Sequence, residues 1–413
     1  MDGMSDTPIF DCLVIGAGPA GLAAAIAAAR AGRSVAVLEK NDRPGKKLLL
    51  TGGGRANLLD PEALAPHLAE EYGQFGDFLR QALHRFSLAG FLAELGVELE
   101  RDAGEGQTCV WGGARRLLDA LLAEAARLGV RIETGAAARA ARALDGGGFQ
   151  VETARGTFAA TGRLVIATGG MTWSATGSSG DGYALAEGFG HRVEPPRPAL
   201  GPLATKPCFP TLAGVSVPDA AGSLRFAGGR RAGARGALLF THRGLSGPVV
   251  LRLSLSLARS GAEGQVPLVL DLAPALAREE LVAELVARAR AETKRTLENS
   301  GLEGLPFPAR LGVELARRSG LDPRRRMGSL SERDFARLAA AAKALALVVT
   351  EPPGLEEAMV TVGGVSTQEL DPRTMESRIV PGLRFAGELL APAGPCGGYN
   401  LLEAFATGMA AGR

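Results

Sequence analysis

The sequence predicts an α/β fold, a parallel sheet wound with helices, carrying an inserted domain of mixed strands and helices. Three observations lead there. The chain opens as strand, glycine turn and helix; its texture changes at Glu194; and strands running into glycines return after Glu356. At 413 residues it exceeds one ordinary core and suits two or three domains.

The opening unit reads in order. Asp11–Ile15 is a short apolar strand, Gly16–Gly21 a turn, Leu22–Ala31 an Ala-rich helix stopped by Gly32, and Ser34–Leu38 a second apolar strand. Residues Pro61 to Leu99 read as mainly helical, and Leu117–Leu128 repeats apolar residues at helical spacing. Short alternating segments follow at Val130–Glu133, Phe149–Thr153, Thr157–Ala160 and Arg163–Ala167, a meander layered on the parallel sheet.

Pro195, Pro196, Pro198 and Pro202 then mark a crossover. Beyond it the spacing predicts strands at Leu224–Phe226, Ala237–Phe240, Val249–Ser254 and Val266–Leu270. Helices are predicted at Arg278–Glu298, Ala309–Arg318 and Glu332–Ala346. The expected domains are therefore 1–193, an inserted 194–355, and a returning 356–413 that ends in an Ala-rich helix.

Bulk chemistry excludes several classes. Hydrophobic content of 46 % and charged content of 22 % are ordinary for a globular chain. A net charge of +2 requires neither nucleic acid nor an anionic membrane as partner, and neither is expected. Cys12, Cys109, Cys208 and Cys396 are scattered without a CxxC pair or a histidine at ligand spacing, so no disulfide framework or metal site is predicted. The apolar stretch Ile9–Ala29 is broken by Asp11, glycines and Pro19 and has no basic segment before it; the expectation is a cytoplasmic protein.

The strongest local signal is Gly16-Ala17-Gly18-Pro19-Ala20-Gly21 between a strand and a helix. Gly16 permits the tight turn, Gly18 lets backbone approach a pyrophosphate, and Gly21 lets helix and strand pack closely. Glu39 closes the second strand, where an acidic side chain accepts ribose hydroxyls and repels a 2′-phosphate. The site is thus read as dinucleotide-binding. Glycines beside basic residues recur in Lys46–Asn57, where Gly53, Gly54, Arg55 and Asn57 either approach a ring or phosphate or form a plain surface loop. Leu164–Gly170 is a strand opening at Thr168 and Gly169, and Thr176–Gly182 leads another helix. Gly387-Glu388 ends a further strand, and Gly397-Gly398-Tyr399-Asn400 starts the last helix. There a carboxylate can accept a ribitol hydroxyl and helix amides can face partial negative charge.

Taken together, these segments resemble the BaiN-like (aminoacetone-oxidase-like) family of bacterial NAD(P)/FAD-dependent oxidoreductases. Five stretches carry the likeness: Gly16–Gly21 with Glu39; Thr51–Asn57; Ala167–Gly182 with Gly190-His191; Leu239–Pro248; and Gly363-Gly364-Val365 through Thr374–Ser377 to Gly397–Asn400. The resemblance implies an FAD-binding Rossmann-type domain of the glutathione-reductase kind, interrupted by a substrate-side domain with a β portion and a helical portion. It implies FAD held by Gly16, Gly18, Pro19, Ala20, Gly21, Glu39, Lys40, Lys47, Gly53, Gly54, Arg55, Asn57, Thr168, Gly169, Gly387, Glu388, Gly397, Gly398, Tyr399 and Asn400. Departures exist. Ala56 stands where the family carries Cys, so this loop offers no thiol. Leu389-Leu390-Ala391-Pro392 replaces a Leu-Asp pair, and Gln107–Arg116 matches loosely.

Catalytic groups are few. His242, in a turn after an apolar strand, either exchanges a proton near pH 7 or bonds its own loop; Tyr399 either donates a hydrogen bond or packs. No Ser-His-Asp spacing emerges, and His191 reads as a structural residue after a helix end. The Arg317–Arg326 cluster reads as a solvated face. The expected activity is an oxidoreductase cycling FAD on a small organic substrate. NAD(P)H-dependent C=C reduction stands beside amine oxidation by O2, with a flavin-bearing RNA-interacting protein as the alternative class. A single dinucleotide fingerprint means that any NAD(P)H shares the flavin cavity. Substrate and oligomeric state are left open.

Overall fold

The computed structural model describes residues 7–59, 71–84, 86–101, 108–299 and 305–413. It contains two compact units, Met1–Arg197 with Met359–Arg413, and Pro198–Ala358. His67 and part of the stretch expected to be helical after Pro61 lie outside the described residues.

The first unit begins with β1 (Ile9–Ile15), α1 (Pro19–Arg30) and β2 (Val35–Glu39). Pro19 occupies the first turn of α1, where its missing N–H costs nothing, and Arg30 sits in the last turn. Then come α2 (Gly76–Leu83), α3 (Leu88–Glu94), β3 (Leu99–Arg101), β4 (Thr108–Val110), α4 (Gly113–Arg127) and β5 (Arg131–Thr134). The meander is β6 (Ala138–Ala143), β7 (Phe149–Thr153) and β8 (Gly156–Ile166), followed by α5 (Asp181–Gly188) and β9 (Val193–Ala199).

β8 is one long strand where the sequence suggested two. Gly162 lies at the expected break, and the ladder with β1 shifts register between Phe10 and Cys12, so a bulge absorbs the irregularity. The meander thereby shares a strand with the parallel sheet instead of forming a layer upon it.

The second unit holds a closed six-stranded barrel. Its strands are β10 (Leu203–Lys206), β11 (Ser216–Arg225), β12 (Arg231–Phe240), β13 (Gly244–Ser246), β14 (Val266–Asp271) and β15 (Leu345–Glu351), in the order β10-β13-β12-β11-β14-β15. Helix α6 (Pro248–Ser260) replaces the strand expected at Val249–Ser254. Gly247 caps it and Pro248 starts it, and Val249, Val250, Leu253 and Leu257 then bury one helical face. α7 (Arg278–Ala291), α8 (Ala309–Arg318) and α9 (Glu332–Lys343) follow. α9 stops before the predicted Ala346, because Leu345, Leu347 and Val349 alternate inward as the barrel's closing strand.

The chain returns to the first unit as β16 (Val360–Val365), β17 (Leu383–Phe385) and α10 (Tyr399–Gly412). Residues 194–197 stay with that unit because β9 pairs with β16. The parallel strands run β5-β2-β1-β8, with β17 pairing β8 alongside the meander. α10 lies directly on α1. A Cβ on Gly408 would stand 2.3 Å from the Ala20 carbonyl oxygen, and one on Gly412 2.2 Å from that of Ala24. Between them, Arg384 donates to Ala411 O at 2.9 Å and Arg163 to Gly412 O at 3.0 Å, satisfying carbonyls at the helix end.

The segment leading to β17 is fixed by His191. Its Nδ1 lies 2.9 Å from Glu369 Oε2 and its Nε2 2.7 Å from Ser377 Oγ. The arrangement has triad geometry that the sequence did not reveal, but His191 and Ser377 are buried and the three residues lie outside the cleft described below. Ser377 Oγ also accepts from Ile379 N at 3.0 Å and Val380 N at 2.8 Å, so its own proton goes to Nε2 and the neutral imidazole gives its Nδ1 proton to Glu369. Protonating the ring would aim a third donor at Ser377 Oγ. It is a structural latch.

Two expectations follow. Gly408→Val should destabilise the first unit by about 1–3 kcal/mol in urea unfolding, the usual cost of overpacking. Burial lowers the His191 pKa below 6.5, with Glu369 opposing. The unfolded chain therefore takes up this proton first, and the stabilisation is complete above pH 6.5 and lost as pH falls below it. Melting temperature should drop between about pH 7 and 5, and His191→Gln should flatten that slope. An equal slope in both proteins would remove His191 from the account.

Candidate functional site

One cleft in the first unit collects the carboxyl ends of its parallel strands: Ile15 at the end of β1, Glu39 at the end of β2, Ala167-Thr168-Gly169 after β8 and Ala386-Gly387-Glu388 after β17. Sheets of this kind place ligands at that edge. The cleft encloses ≈ 1260 Å³, counted out to open solvent, and no cluster of His, Cys, Asp or Glu suited to a metal occurs among the described residues.

The glycine turn divides its labour. A Cβ on Gly16, whose φ is +102°, would stand 2.5 Å from Ala167 O, and one on Gly21 1.9 Å from Gly16 O; both glycines are consumed by chain packing. A Cβ on Gly18 would meet nothing within 4 Å. Gly18, Pro19 and Ala20 line the cleft, and the start of α1 has neither a side-chain cap nor an acidic residue in its first turn. Its free amides and dipole face the space Gly18 leaves open.

Glu39 is buried beside this turn. Its Oε2 accepts from Ala17 N at 2.8 Å, and its Oε1 accepts from both the backbone N and the Nδ2 of Asn41, each at 2.8 Å. Asn41 Nδ2 also donates to Thr176 O at 3.0 Å, tying the end of β2 to the loop after β8. Lys40 pairs with Asp181 at 2.5 Å and donates to Ser179. Burial pushes the Asp181 pKa up, but Lys40 and Ser179 outweigh it and hold the carboxyl below its usual range.

A second cluster spans the cleft. Lys47 Nζ donates to Glu388 Oε2 at 2.7 Å and to Thr172 Oγ1 at 2.8 Å, and Glu388 Oε1 accepts from Thr361 N at 3.0 Å. Burial, and after it the Glu388 carboxylate, raises the Tyr183 pKa, so that phenol stays protonated. The hydroxyl of Thr168 is buried at the cleft wall without a protein partner.

Other expected site residues lie elsewhere. Gly53, Gly54, Arg55 and Asn57 do not line the cleft, whereas Thr51 does. Arg55 is exposed and its Nε donates back to Gly52 O at 3.1 Å; Gly54 O stands 2.7 Å from where a Cβ on Gly113 would be. Gly398 caps α10 and packs on the Leu58–Leu59 backbone, 2.3 Å from an added Cβ, while Gly397 has open space around it. Asn400 lines the cleft, but its amide holds the preceding loop, accepting from Gly394 N at 2.8 Å and donating to Gly394 O at 3.0 Å. Tyr399 packs edge-on to Tyr72, with centroids 6.1 Å apart, outside the cleft lining. His242 is exposed in the β12–β13 turn of the second unit. The sequence reading missed Asn41, Thr51, Thr172 and Thr361. Asn41 lies two residues beyond Glu39, and Thr51 and Thr172 lie inside the stretches Thr51–Asn57 and Ala167–Gly182 without having been singled out.

The HI0933-like protein Rossmann domain model matches residues 10–413. The chain belongs to the HI0933-like family. At 33 % identity it resembles the ribosomal RNA dihydrouridine synthase of Escherichia coli K12, over 97 % of this chain and 96 % of that protein. It is likewise 33 % identical to the 3-dehydro-bile acid delta(4,6)-reductase of Clostridium scindens, over 97 % of each. Among solved structures, 3-ketosteroid-delta4-(5alpha)-dehydrogenase from Rhodococcus jostii RHA1 shares the fold with a TM-score of 0.52 and 19 % identity, covering 99 % of this chain and 97 % of that one.

The HI0933-like chain is an FAD-dependent oxidoreductase, as its BaiN-like resemblance implied. The cleft fits that cofactor: Gly18 leaves a cradle that a Cβ would fill, uncapped α1 amides face it, and the Thr168 hydroxyl awaits a partner. No described helix is long and apolar enough to cross a membrane.

Because a Cβ on Gly18 would meet nothing within 4 Å and its backbone is extended, Gly18→Val should leave the melting temperature of the FAD-free protein unchanged. It should weaken FAD binding by roughly a hundredfold or more by filling the cradle. Flavin fluorescence on titration reads the affinity, and undiminished binding would place the pyrophosphate elsewhere.

Proposed function

We propose that this protein reduces a carbon–carbon double bond conjugated to a carbonyl, with NAD(P)H as the source of electrons. The two full-length relatives carry the reading, since making dihydrouridine and reducing a delta(4,6) compound both saturate such a bond. FAD supplies the two-electron exchange when bound. In this reading α1 and Gly18 receive the pyrophosphate, Glu39 the adenosine ribose, and Thr168, Gly169, Gly387 and the Lys47–Glu388 pair the ribityl side. The amides of Gly397–Asn400 start α10 toward the ring. The alkene takes up two electrons and two protons in all.

A second reading concerns the substrate, which is an RNA base in place of a small molecule. Charge distribution favours it. Residues 198–358 hold 22 Lys and Arg against 16 Asp and Glu, a net +6 that the whole-chain value of +2 conceals.

The experiment is anaerobic mixing of FAD-loaded protein, first with NADH or NADPH, then with cyclohexenone or uridine-containing RNA. Flavin absorbance should bleach with the nicotinamide and return with an activated alkene. Bleaching by aminoacetone with recovery only in air would overturn the reading in favour of amine oxidation.

A further inference from the structure

β11 and β12 form an antiparallel ribbon, each strand 10 residues long, ending in the turn Ala227–Gly229. At its tip Arg225 stands directly opposite Arg231 in the ladder, and Arg230 lies over the Phe226 ring at 5.9 Å. All three arginines are exposed, and no carboxylate among the described residues pairs with them. Arg235, further along the same strand, is instead clamped by Asp219 at 2.8 and 2.7 Å. Like charges directly opposite in a ladder destabilise it, so the fold gains nothing from this pair.

We propose that the outer face of this ribbon grips the phosphate backbone of RNA, an inference that rests on the RNA-substrate reading above. Leu224 is buried, so alternation turns Arg225 and Arg231 outward together with Ser223 and Gly233. Those small residues leave a flat strip on which a polymer backbone can lie. Guanidinium groups suit this work because each offers paired donors to phosphate oxygens. The positive excess of this unit draws a polyanion toward the strip. A membrane surface fits less well: Phe226 is half-buried under Arg230, and Ala227, Gly228 and Gly229 give the tip no large apolar side chain to insert.

The test uses the full-length, FAD-loaded protein and a fluorescein-labelled single-stranded oligouridine. Dissociation constants are measured across a series of salt concentrations for wild type, Arg225→Ala/Arg231→Ala, and a control, Arg290→Ala/Arg333→Ala, which removes two exposed charges from α7 and α9. Each phosphate contact contributes about 0.7 to the salt slope on a single strand, so the ribbon variant should lose about 1.4. Its affinity at low salt should fall roughly tenfold or more, with the control like wild type. Its melting temperature should be at or above wild type, since a like-charge pair is relieved. Equal binding by both double variants would overturn the strip and leave the RNA reading standing. No salt-dependent binding by wild type would overturn both. Arginine-dependent binding to phosphatidylserine vesicles, without binding to RNA, would assign the ribbon to a membrane and overturn the proposal.

Discussion

Everything around the cleft depends on how closely α1 lies against its neighbours. At its start, Gly21 meets the Gly16 carbonyl with no space for a side chain; along its length, Gly408 and Gly412 of α10 press against the Ala20 and Ala24 carbonyls. These approaches explain why small residues dominate α1 and why Ala20–Ala28 are all buried. A helix held on two sides cannot shift its N-terminus, so the amides facing Gly18 are fixed before any ligand arrives. Pre-set dipoles of this kind need no reorganisation when a charged group binds.

The cleft also shows how one small volume keeps several carboxylates. Glu39 is surrounded by backbone and amide donors, Asp181 by Lys40 and Ser179, and Glu388 by Lys47, Thr172 and Thr361. Each accepts hydrogen bonds from its own set of donors.

What was legible in the sequence was local. The turn Gly16–Gly21, Glu39 and the strand at Leu164–Ile166 are read from neighbours in the chain, and the structure places them at one sheet edge. The Lys47–Glu388 pair joins residues 341 apart, and His191 meets Ser377 across 186; no spacing rule reaches so far. Val249–Ser254 failed for a different reason. A short apolar run fits a strand or a buried helix equally, and the Gly247-Pro248 start was the feature that decided it. The Arg-Ala pattern of β6 likewise hid a strand, because its exposed edge carries little hydrophobic alternation.

The sheet of the first unit has a temporal consequence. β17 and α10 come from the last stretch of the chain, yet they complete the wall of the cleft and the packing of α1. A ribosome emits residues 198–358 before it emits either element, so the barrel can close while the cleft still lacks a side. Cofactor capture is then a late event in biogenesis. A chain whose synthesis stops after the barrel would carry that unit without β17 and α10, and so without one wall of the cleft.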